Sequence, residues 1–450
     1  MELLEIVNKL IEYFKLDDIG DLGDKLKEIL FSDELENVVI DYKRIVNNNL
    51  EIDWIQKIYQ YYKSNRGGLK QDYTPKCLSK LLAKLVCYDD AKSVLDVCAG
   101  SGSLSIELYK LNNSLEFTLL ELDEQVLPFL LFNLVINGIN AKVVNMDVLS
   151  GEQFKVYVVK NGKIEIEDKE ELGVYDIVIS NPPFNLKLTN KYNVNNILIK
   201  NSSNAYFVHF CMEKLTAKGK CSLILPTGFI TAQKNDDLLT RKYLIDNNYL
   251  DSIIIFPTPM FESTGVCVST VTIDKNKQND NVILINNNNQ NYEIWIREQR
   301  GQFGGAAHTK RVYKKEFKIL SDENINYILD VINNRKVVED YSIIPTYDEM
   351  QEKSFSCSAG QYFDVKIEYI DITQEEWETM RDDFISQLDN FVNSITDYQE
   401  KFKSSITDSE FMEEQEKVNK EIEQYNEDTI EFKKTLCTLL MNGQLVSVEE

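Results

Sequence analysis

Apolar positions along this chain follow three different rhythms. From residue 1 to about 65 they recur at helical spacing: Leu3, Leu4, Val7, Leu10, Ile11 and Phe14 mark one helix face, and Asp53-Trp54-Ile55 through Tyr62 reads as another helix. Asn65-Arg-Gly-Gly68 breaks that pattern as a linker does. From about 71 to about 345, short apolar runs alternate with amphipathic stretches. The spacing predicts strands at 93–97, 117–122, 142–145, 175–180, 220–225, 250–256 and 266–273, with helices such as 126–137 and 205–215 between them. Residues 156–170 alternate at period two around Asn161-Gly162, the signature of an inserted hairpin. Residues 286–291 are Asn-rich and read as a loop.

Beyond about Gln361 the rhythm returns to three and four. Phe384, Leu388, Phe391, Val392, Ile395, Tyr398 and Phe402 form one stripe. After a break near Thr407-Asp408, Val418, Ile422, Tyr425, Phe432 and Leu436 form a second. Long amphipathic helices are the simplest account, and such stripes serve either ordinary packing or a partner helix. The organisation expected is a helical module over 1–68, a parallel α/β domain over 69–345, and a helical region over 346–450.

Composition narrows the class. The 450 residues are 43% hydrophobic and 27% charged, enough for two or three globular domains. No apolar run approaches the ~18 residues of a membrane span, and Met1-Glu-Leu-Leu-Glu lacks the basic start of a signal peptide. Eight Cys without CxxC pairs and only two His disfavour a zinc site and fit reduced thiols in a cytoplasm. The net charge of −24 is unlike that of a protein that grips DNA alone. From Gln361 onward, 23 Asp or Glu face 8 Lys or Arg. Either nucleic acid is not bound, or a partner supplies much of the grip; acidity that only aids solubility is the plainer alternative.

Two turns carry candidate chemistry. The run Tyr175-Asp-Ile-Val-Ile-Ser180 reads as a buried parallel strand, and Asn181-Pro182-Pro183-Phe184 follows it. Two prolines forbid both helix and ladder bonding, so the chain must turn stiffly at the strand's end. An Asn amide and a proline carbonyl there can accept hydrogen bonds from an exocyclic NH2 group, and Phe184 can stack on a flat ring. A Pro-Pro loop without chemistry is the alternative. Asp96-Val-Cys-Ala-Gly100-Ser-Gly102 is a Gly-rich strand-to-helix turn, with neither GxGxxG nor a following GKS or GKT. The next strand ends in Glu121-Leu-Asp123, where a ribose diol is normally held. An adenosine-containing cofactor without a diphosphate follows. Asp147, after the third strand, is placed to accept adenine amino hydrogens or to cap a helix. Gln71-Asp-Tyr-Thr-Pro75-Lys76 opens a helix with Pro in its first turn, and its Tyr and Pro could close over the cofactor.

The order of these segments resembles the gamma-order amino-group DNA methyltransferases that use S-adenosylmethionine. The likeness to type I restriction-modification M subunits extends through Ala205-Tyr-Phe-Val-His-Phe, Gly219 to Gly228, Ile254 to Val266, and Ser358-Ala-Gly-Gln-Tyr362-Phe with its paired terminal helices. It covers roughly residues 65–436. It implies an α/β Rossmann-like S-adenosylmethionine-dependent methyltransferase sheet with helical N- and C-terminal extensions. It implies cofactor contacts at Gln71, Asp72, Tyr73, Thr74, Pro75, Lys76, Ser101, Gly102, Ser103 and Glu121, beside Asp96, Gly100 and Asp147 of the turns above. Asn181, Pro182, Pro183 and Phe184 become the catalytic segment, methylating N6 of an adenine flipped out of double-stranded DNA without a general base or a metal. Two departures stand out: Val97 and Cys98 follow Asp96 where the family often has Pro and Ala, and the N-terminal module is short.

The chain carries no basic target-reading segment of about 100 residues. The resemblance therefore implies a separate DNA specificity subunit, a second M subunit, and a restriction subunit able to join, with the acidic terminal helices as docking surface. Residues 186–203, rich in Asn and Lys, are expected to order only over DNA. Methylation of a protein glutamine or an RNA base amino group is a rival reading, since NPP chemistry suits any planar NH2. A noncatalytic scaffold in a phage-defence complex is another.

Overall fold

The computed structural model describes residues 3–62, 73–233, 236–261, 265–300, 312–364, 372–403 and 408–441. Gln71, Asp72 and Thr264 lie outside them. The chain divides into two compact units, Met1–Phe363 and Asp364–Glu450.

The first unit begins with four helices, α1 (Leu3–Phe14), α2 (Leu22–Ile29), α3 (Leu35–Ile45) and α4 (Trp54–Tyr62). Of the stripe read from the sequence, Val7, Leu10 and Phe14 are buried on α1, where Ile6 joins them, while Leu4 is exposed. After α5 (Lys76–Val86), strands and helices alternate: β1 (Ser93–Val97), α6 (Ser103–Leu111), β2 (Glu116–Glu121), α7 (Leu127–Asn137), β3 (Ala141–Asp147). The hairpin expected around Asn161-Gly162 is β4 (Glu152–Lys160) and β5 (Lys163–Glu167), with Lys160 paired to Lys163 across the turn. β6 (Tyr175–Ser180) precedes a small hairpin, β7 (Tyr192–Val194) and β8 (Ile197–Ile199). Residues 186–203 thus hold structure of their own, contrary to the expectation that DNA must order them. Pairing within the hairpin and the bond from Tyr192 Oη to the Leu149 carbonyl (3.0 Å) supply the reason.

Next come α8 (Ser203–Glu213), β9 (Leu215–Pro226), α9 (Thr227–Thr231), α10 (Asp236–Asp246), β10 (Leu250–Ile255), β11 (Val268–Asp274) and β12 (Ile283–Asn286). A separate ribbon follows, β13 (Glu293–Arg300) with β14 (Val312–Ile319). The unit closes with α11 (Asp322–Asn333), β15 (Ser342–Ile343) and α12 (Tyr347–Glu352).

Eleven strands form one sheet in the order β15-β12-β10-β11-β9-β6-β1-β2-β3-β4-β5. The centre, β3-β2-β1-β6-β9, is parallel, while β11 runs antiparallel between β9 and β10. Both faces of the central strands are covered, so those strands are mostly apolar and their side chains divide between two cores. Val94, Leu119, Val143 and Ile177 join the core that holds α1–α7; Leu95, Leu120, Val144 and Val178 join the one that holds α8–α10. The N-terminal helices are part of the first core. Tyr42 meets Phe132 and Tyr59 meets Phe129 edge-on, with ring centroids 5.3 and 4.9 Å apart. Strand order reverses at β1, which pairs with β2 on one side and β6 on the other, and ligands of open α/β sheets bind at such a switch point.

In the second unit, α13 (Gln374–Lys403) and α14 (Asp408–Met441) stack their aromatic rings. Phe384 lies on Phe432 and Phe391 on Tyr425, with centroids 4.2 and 4.4 Å apart and nearly parallel planes. Tyr425 and Phe432, read from sequence as part of a stripe suited to a partner helix, are therefore spent within the pair.

Candidate functional site

A cleft of about 1100 Å³ opens at the carboxyl ends of β1, β2, β3 and β6. Its first wall is the turn after β1. Cys98, Gly100 and Gly102 all have positive φ, at 63°, 57° and 87°. Gly102 disfavours a side chain: its φ is strained for L residues, and a Cβ would displace the end of the Leu130 side chain, Cδ1 lying 2.9 Å away. A Cβ on Gly100 would lie 3.4 Å from the Tyr73 ring, so the turn fits closely under that ring. Ser101 is buried, its carbonyl accepts from Asn133 Nδ2 at 2.9 Å, and its Oγ has no hydrogen-bond partner among the described residues. A buried hydroxyl left unsatisfied in a cleft wall is placed for a ligand.

Glu121 forms the tip of β2. Its carboxylate accepts from the backbone N–H of Gly100 (2.7 Å) and of Asp123 (2.8 Å), tying the tip to the turn. Asn145 Nδ2 donates to the Glu121 and Leu122 carbonyls and clamps the tip to β3. Burial pushes the Glu121 carboxyl up to about 7, against those two backbone donors, which pull it down. Asp147 also lines the cleft, and its Oδ1 accepts from Leu149 N at 2.9 Å in an Asx turn, not a helix cap.

The opposite wall is Asn181–Phe184, all four of which line the cleft. Ser180 Oγ donates to the Val97 carbonyl (2.6 Å), fastening the end of β6 to β1. Asn181 Nδ2 donates to Thr74 Oγ1 at 2.9 Å, an arrangement that makes Oδ1 the amide's accepting atom. Phe184 sits edge-on to Phe261, centroids 6.4 Å apart. Behind it, Asn185 and Asn204 exchange two hydrogen bonds, and Leu186 N donates to Ser203 Oγ at 2.9 Å, so the motif is anchored to the start of α8.

The cleft gathers Tyr73, Thr74, Gly100, Ser101, Ser103, Glu121, Asp147 and Asn181–Phe184 from the residues singled out in the sequence. Several expected contacts do not reach it. Asp96 is fully buried behind the turn and accepts from Ser105 Oγ at 2.7 Å; burial pushes its carboxyl up to about 7. It shapes the turn from beneath instead of meeting a ligand. Lys76 turns away and pairs with Glu51, because α5 starts at that residue and its first turn faces the N-terminal module. The Pro75 carbonyl is used to accept from Leu78 and Ser79 N–H at the start of α5. Gly102 contributes its conformation and does not line the cleft.

Sequence reasoning missed Gln56 and the hydrogen bonds that hold it. Gln56 lines the cleft from α4, and its Nε2 donates to the Thr74 carbonyl at 3.3 Å. Tyr59, also on α4, donates to Asp123 Oδ2 at 2.7 Å. Only a polar residue within an otherwise apolar helical stripe hinted at this. Cys98, Met146 and Phe207 complete the apolar part of the wall.

The chain is 23% identical over 408 residues to the type I restriction enzyme MpnII methylase subunit of Mycoplasma pneumoniae, an alignment covering 86% of this chain and 67% of that protein. It is 22% identical over 394 residues to the MjaVIII methylase subunit of Methanocaldococcus jannaschii, covering 80% and 63%. It thus spans about two thirds of the length of these curated relatives. A type I restriction-modification methyltransferase subunit from Streptococcus thermophilus shares its fold, with a TM-score of 0.56, 18% identity and 80% of each chain covered. The family model described as N-6 DNA Methylase matches residues 52–369, from the helix that carries Gln56 to beyond the end of the first unit, and the chain belongs to that family.

Proposed function

We propose that this chain transfers a methyl group from S-adenosylmethionine to N6 of an adenine turned out of double-stranded DNA, as the modification subunit of a type I restriction-modification system. The observation that carries the reading is the meeting, in one cleft at the switch point, of Asn181–Phe184 with the Ser101 and Glu121 wall. The residues fit the cofactor: Ser101 Oγ lacks a partner, Glu121 offers a carboxylate at a strand tip for ribose hydroxyls, and Asp147 can accept from an adenine amino group. Bound S-adenosylmethionine supplies an electrophilic sulfonium methyl.

The chain's own residues act on the target amine. An adenine amino nitrogen is a poor nucleophile because its lone pair is delocalised into the ring. Asn181 Oδ1 and the Pro182 carbonyl accept its two hydrogens, favour pyramidal nitrogen, and hold the lone pair ready. The rigid Pro182-Pro183 backbone and the Thr74 bond fix these acceptors before the substrate arrives, so positioning and electrostatics do the work. Phe184 offers a face to the flipped base while Phe261 holds its edge. No group in Asn181–Phe184 titrates, so the proton that the methylated, cationic nitrogen sheds after transfer passes to solvent water.

The net charge of −24 supports a separate specificity subunit that reads the sequence, with a second M subunit and a restriction subunit as further partners in a cytoplasmic complex. Docking falls to the α13–α14 pair, which leaves Ile385, Val392, Ile422 and Ile430 exposed. Radiolabelled methyl transfer to DNA, RNA and protein, with and without a specificity subunit, tests the reading. Label should enter DNA as N6-methyladenine and only in the assembled complex; label in RNA or glutamine overturns it. A chain ending at Phe363 should keep cofactor binding and lose assembly; co-purification of that chain with the specificity subunit would remove docking from the helical pair.

A further inference from the structure

Helix α4 reaches both walls of the cleft, although it belongs to the N-terminal module and not to the sheet-and-crossover part of the unit. Asp53, Gln56 and Tyr59 recur along it at intervals of three, so they share one face, about 9 Å long at the rise of an α-helix. Each of the three leads to a different segment of the site.

Asp53 is first of all a helix cap: its Oδ1 accepts from Gln56 N at 2.8 Å. Both of its oxygens also accept from Asn133 Nδ2, at 3.2 and 3.1 Å, and burial pushes the carboxyl up to about 6. A Ser or Thr would cap the helix as well without the cost of a desolvated carboxylate, so capping does not account for the charge. Asn133 is buried in α7, where every other buried residue is apolar. A side-chain amide carries two hydrogens. One is held by Asp53, and the other goes to the Ser101 carbonyl at 2.9 Å. The carboxylate polarises that amide and so tightens its grip on Ser101, whose Oγ has no hydrogen-bond partner among the described residues.

Gln56 leads to the other wall. Its Nε2 donates to the Thr74 carbonyl at 3.3 Å, and Thr74 Oγ1 accepts from Asn181 Nδ2 at 2.9 Å. Gln56 thus stands two bonds behind the amide that faces the target amine. Tyr59 completes the face: its Oη donates to Asp123 Oδ2 at 2.7 Å, Asp123 N donates to Glu121 Oε1 at 2.8 Å, and its ring meets Tyr73 edge-on with centroids 5.7 Å apart.

We propose that α4 is the strut that sets the two walls of the cleft. Asp53 is a positioning residue for the cofactor turn, acting through Asn133 on Ser101, and Gln56 is a positioning residue for Asn181, acting through Thr74. The Gln56 part deepens the methyltransferase reading and rests on it; the Asp53 part concerns cofactor affinity alone. The two lines of bonds diverge from one helix, so each wall responds to its own residue. Displacing an acceptor by about 1 Å from a distance can cost on the order of 100-fold in rate, so a strut of this kind matters even though neither residue needs to touch the reacting atoms.

The test uses the full chain with Asp53→Ala, Asp53→Asn and Gln56→Met, and with Tyr13→Phe as control, which removes the 3.0 Å bond from Tyr13 to Asp41 in the same module but away from the cleft. S-adenosylmethionine binding is measured by calorimetry, single-turnover methylation at saturating cofactor in the complex with the specificity subunit, and melting temperature alongside. Asp53→Ala should weaken cofactor binding on the order of tenfold and leave the saturated rate unchanged. Asp53→Asn should restore affinity, because the Oδ1 it keeps already accepts from both Gln56 N and Asn133. Gln56→Met keeps the length of the side chain and removes the donor; it should lower the rate on the order of tenfold at unchanged cofactor affinity. Loss of rate and affinity together in both variants, or losses equal to those of the control, would show that α4 acts only through stability and would overturn the proposal. Weaker cofactor binding in Gln56→Met would make Gln56 a direct cofactor contact and overturn its positioning role. Cofactor binding needs no methyl acceptor, so a wild-type chain that methylates no DNA sinks the methyltransferase reading while the Asp53 variants still decide the strut.

Discussion

The two walls of the cleft are built on opposite principles. The wall at β1 and β2 holds its shape with glycine conformations, backbone donors and two buried carboxyls, Asp96 and Glu121, both pushed up to about 7 by burial. The wall after β6 is made of an amide, two prolines and an aromatic ring, with no ionisable group between Asn181 and Phe184. One side is therefore charged, adjustable and sensitive to pH; the other is neutral and stiff. A wall that grips a polar cofactor gains from charge-assisted hydrogen bonds. A wall that must present two acceptors to a weak nucleophile gains from rigidity, because acceptors that need no reorganisation act most strongly in the transition state.

Removing the neutral wall's acceptor should have the largest effect. Asn181→Ala should lower kcat on the order of 100-fold or more while cofactor affinity holds, measured by single-turnover methylation and calorimetry. A variant at full rate would erase the division between the walls. On the charged wall, Glu121→Ala should weaken S-adenosylmethionine binding by about 1–3 kcal/mol. Unchanged affinity would leave the strand tip with only its structural bonds to Gly100 and Asp123.

The pH response should fall on one wall alone. Ribose hydroxyls donate to ionised Glu121, and its carboxyl without ligand sits at about 7, so binding below that pH must expel a proton. Affinity should fall by about tenfold from pH 8 to pH 6, with proton release detectable in buffers of different ionisation enthalpy. Glu121→Gln should flatten the profile. The single-turnover rate at saturating cofactor should stay level over the same range, and a slope there would place a titrating group on the neutral wall.

The smallest effect concerns stability. Asp96 is raised from its ordinary 3.8 to about 7, so folding opposes its ionisation. Its cost to stability is absent below about pH 4, grows as pH rises toward 7, and is constant above that. Asp96→Asn removes the charge and should raise stability by about 1–2 kcal/mol at pH 8 and by almost nothing at pH 4. Denaturant melts at the two pH values measure this, and an equal change at both would show that Asp96 is already neutral at pH 8.

Legibility in the sequence was uneven, for physical reasons. The strand boundaries 93–97 and 175–180 coincide with β1 and β6, because fully buried parallel strands are short apolar runs with sharp ends. β9 begins earlier than the expected 220–225: Leu215 pairs with Tyr175 of β6 across an irregular register, and the Gly219 carbonyl accepts from Lys275 N beyond β11, contacts that no local pattern announces. The resemblance implies a cofactor contact at Lys76, yet a residue at the first position of a helix faces whatever that helix packs on, here Glu51. The aromatic stripe of α14 is visible as period three and four, but period alone does not say whether Phe432 meets another chain or Phe384 of its own.

The sequence by itself determined the parts whose conformation is local. Two successive prolines force the turn after β6, Gly100 and Gly102 permit the one after β1, and the apolar periods assign strands and helices without reference to anything distant. Tertiary structure alone decided which residues meet. It brought Thr74 to Asn181 across 107 positions of sequence, drew Gln56 of the N-terminal helices into the cleft, and sank Asp96 beneath the turn. Those outcomes depend on how helices pack on a sheet and how strands register, and both are fixed by burial summed over the whole core.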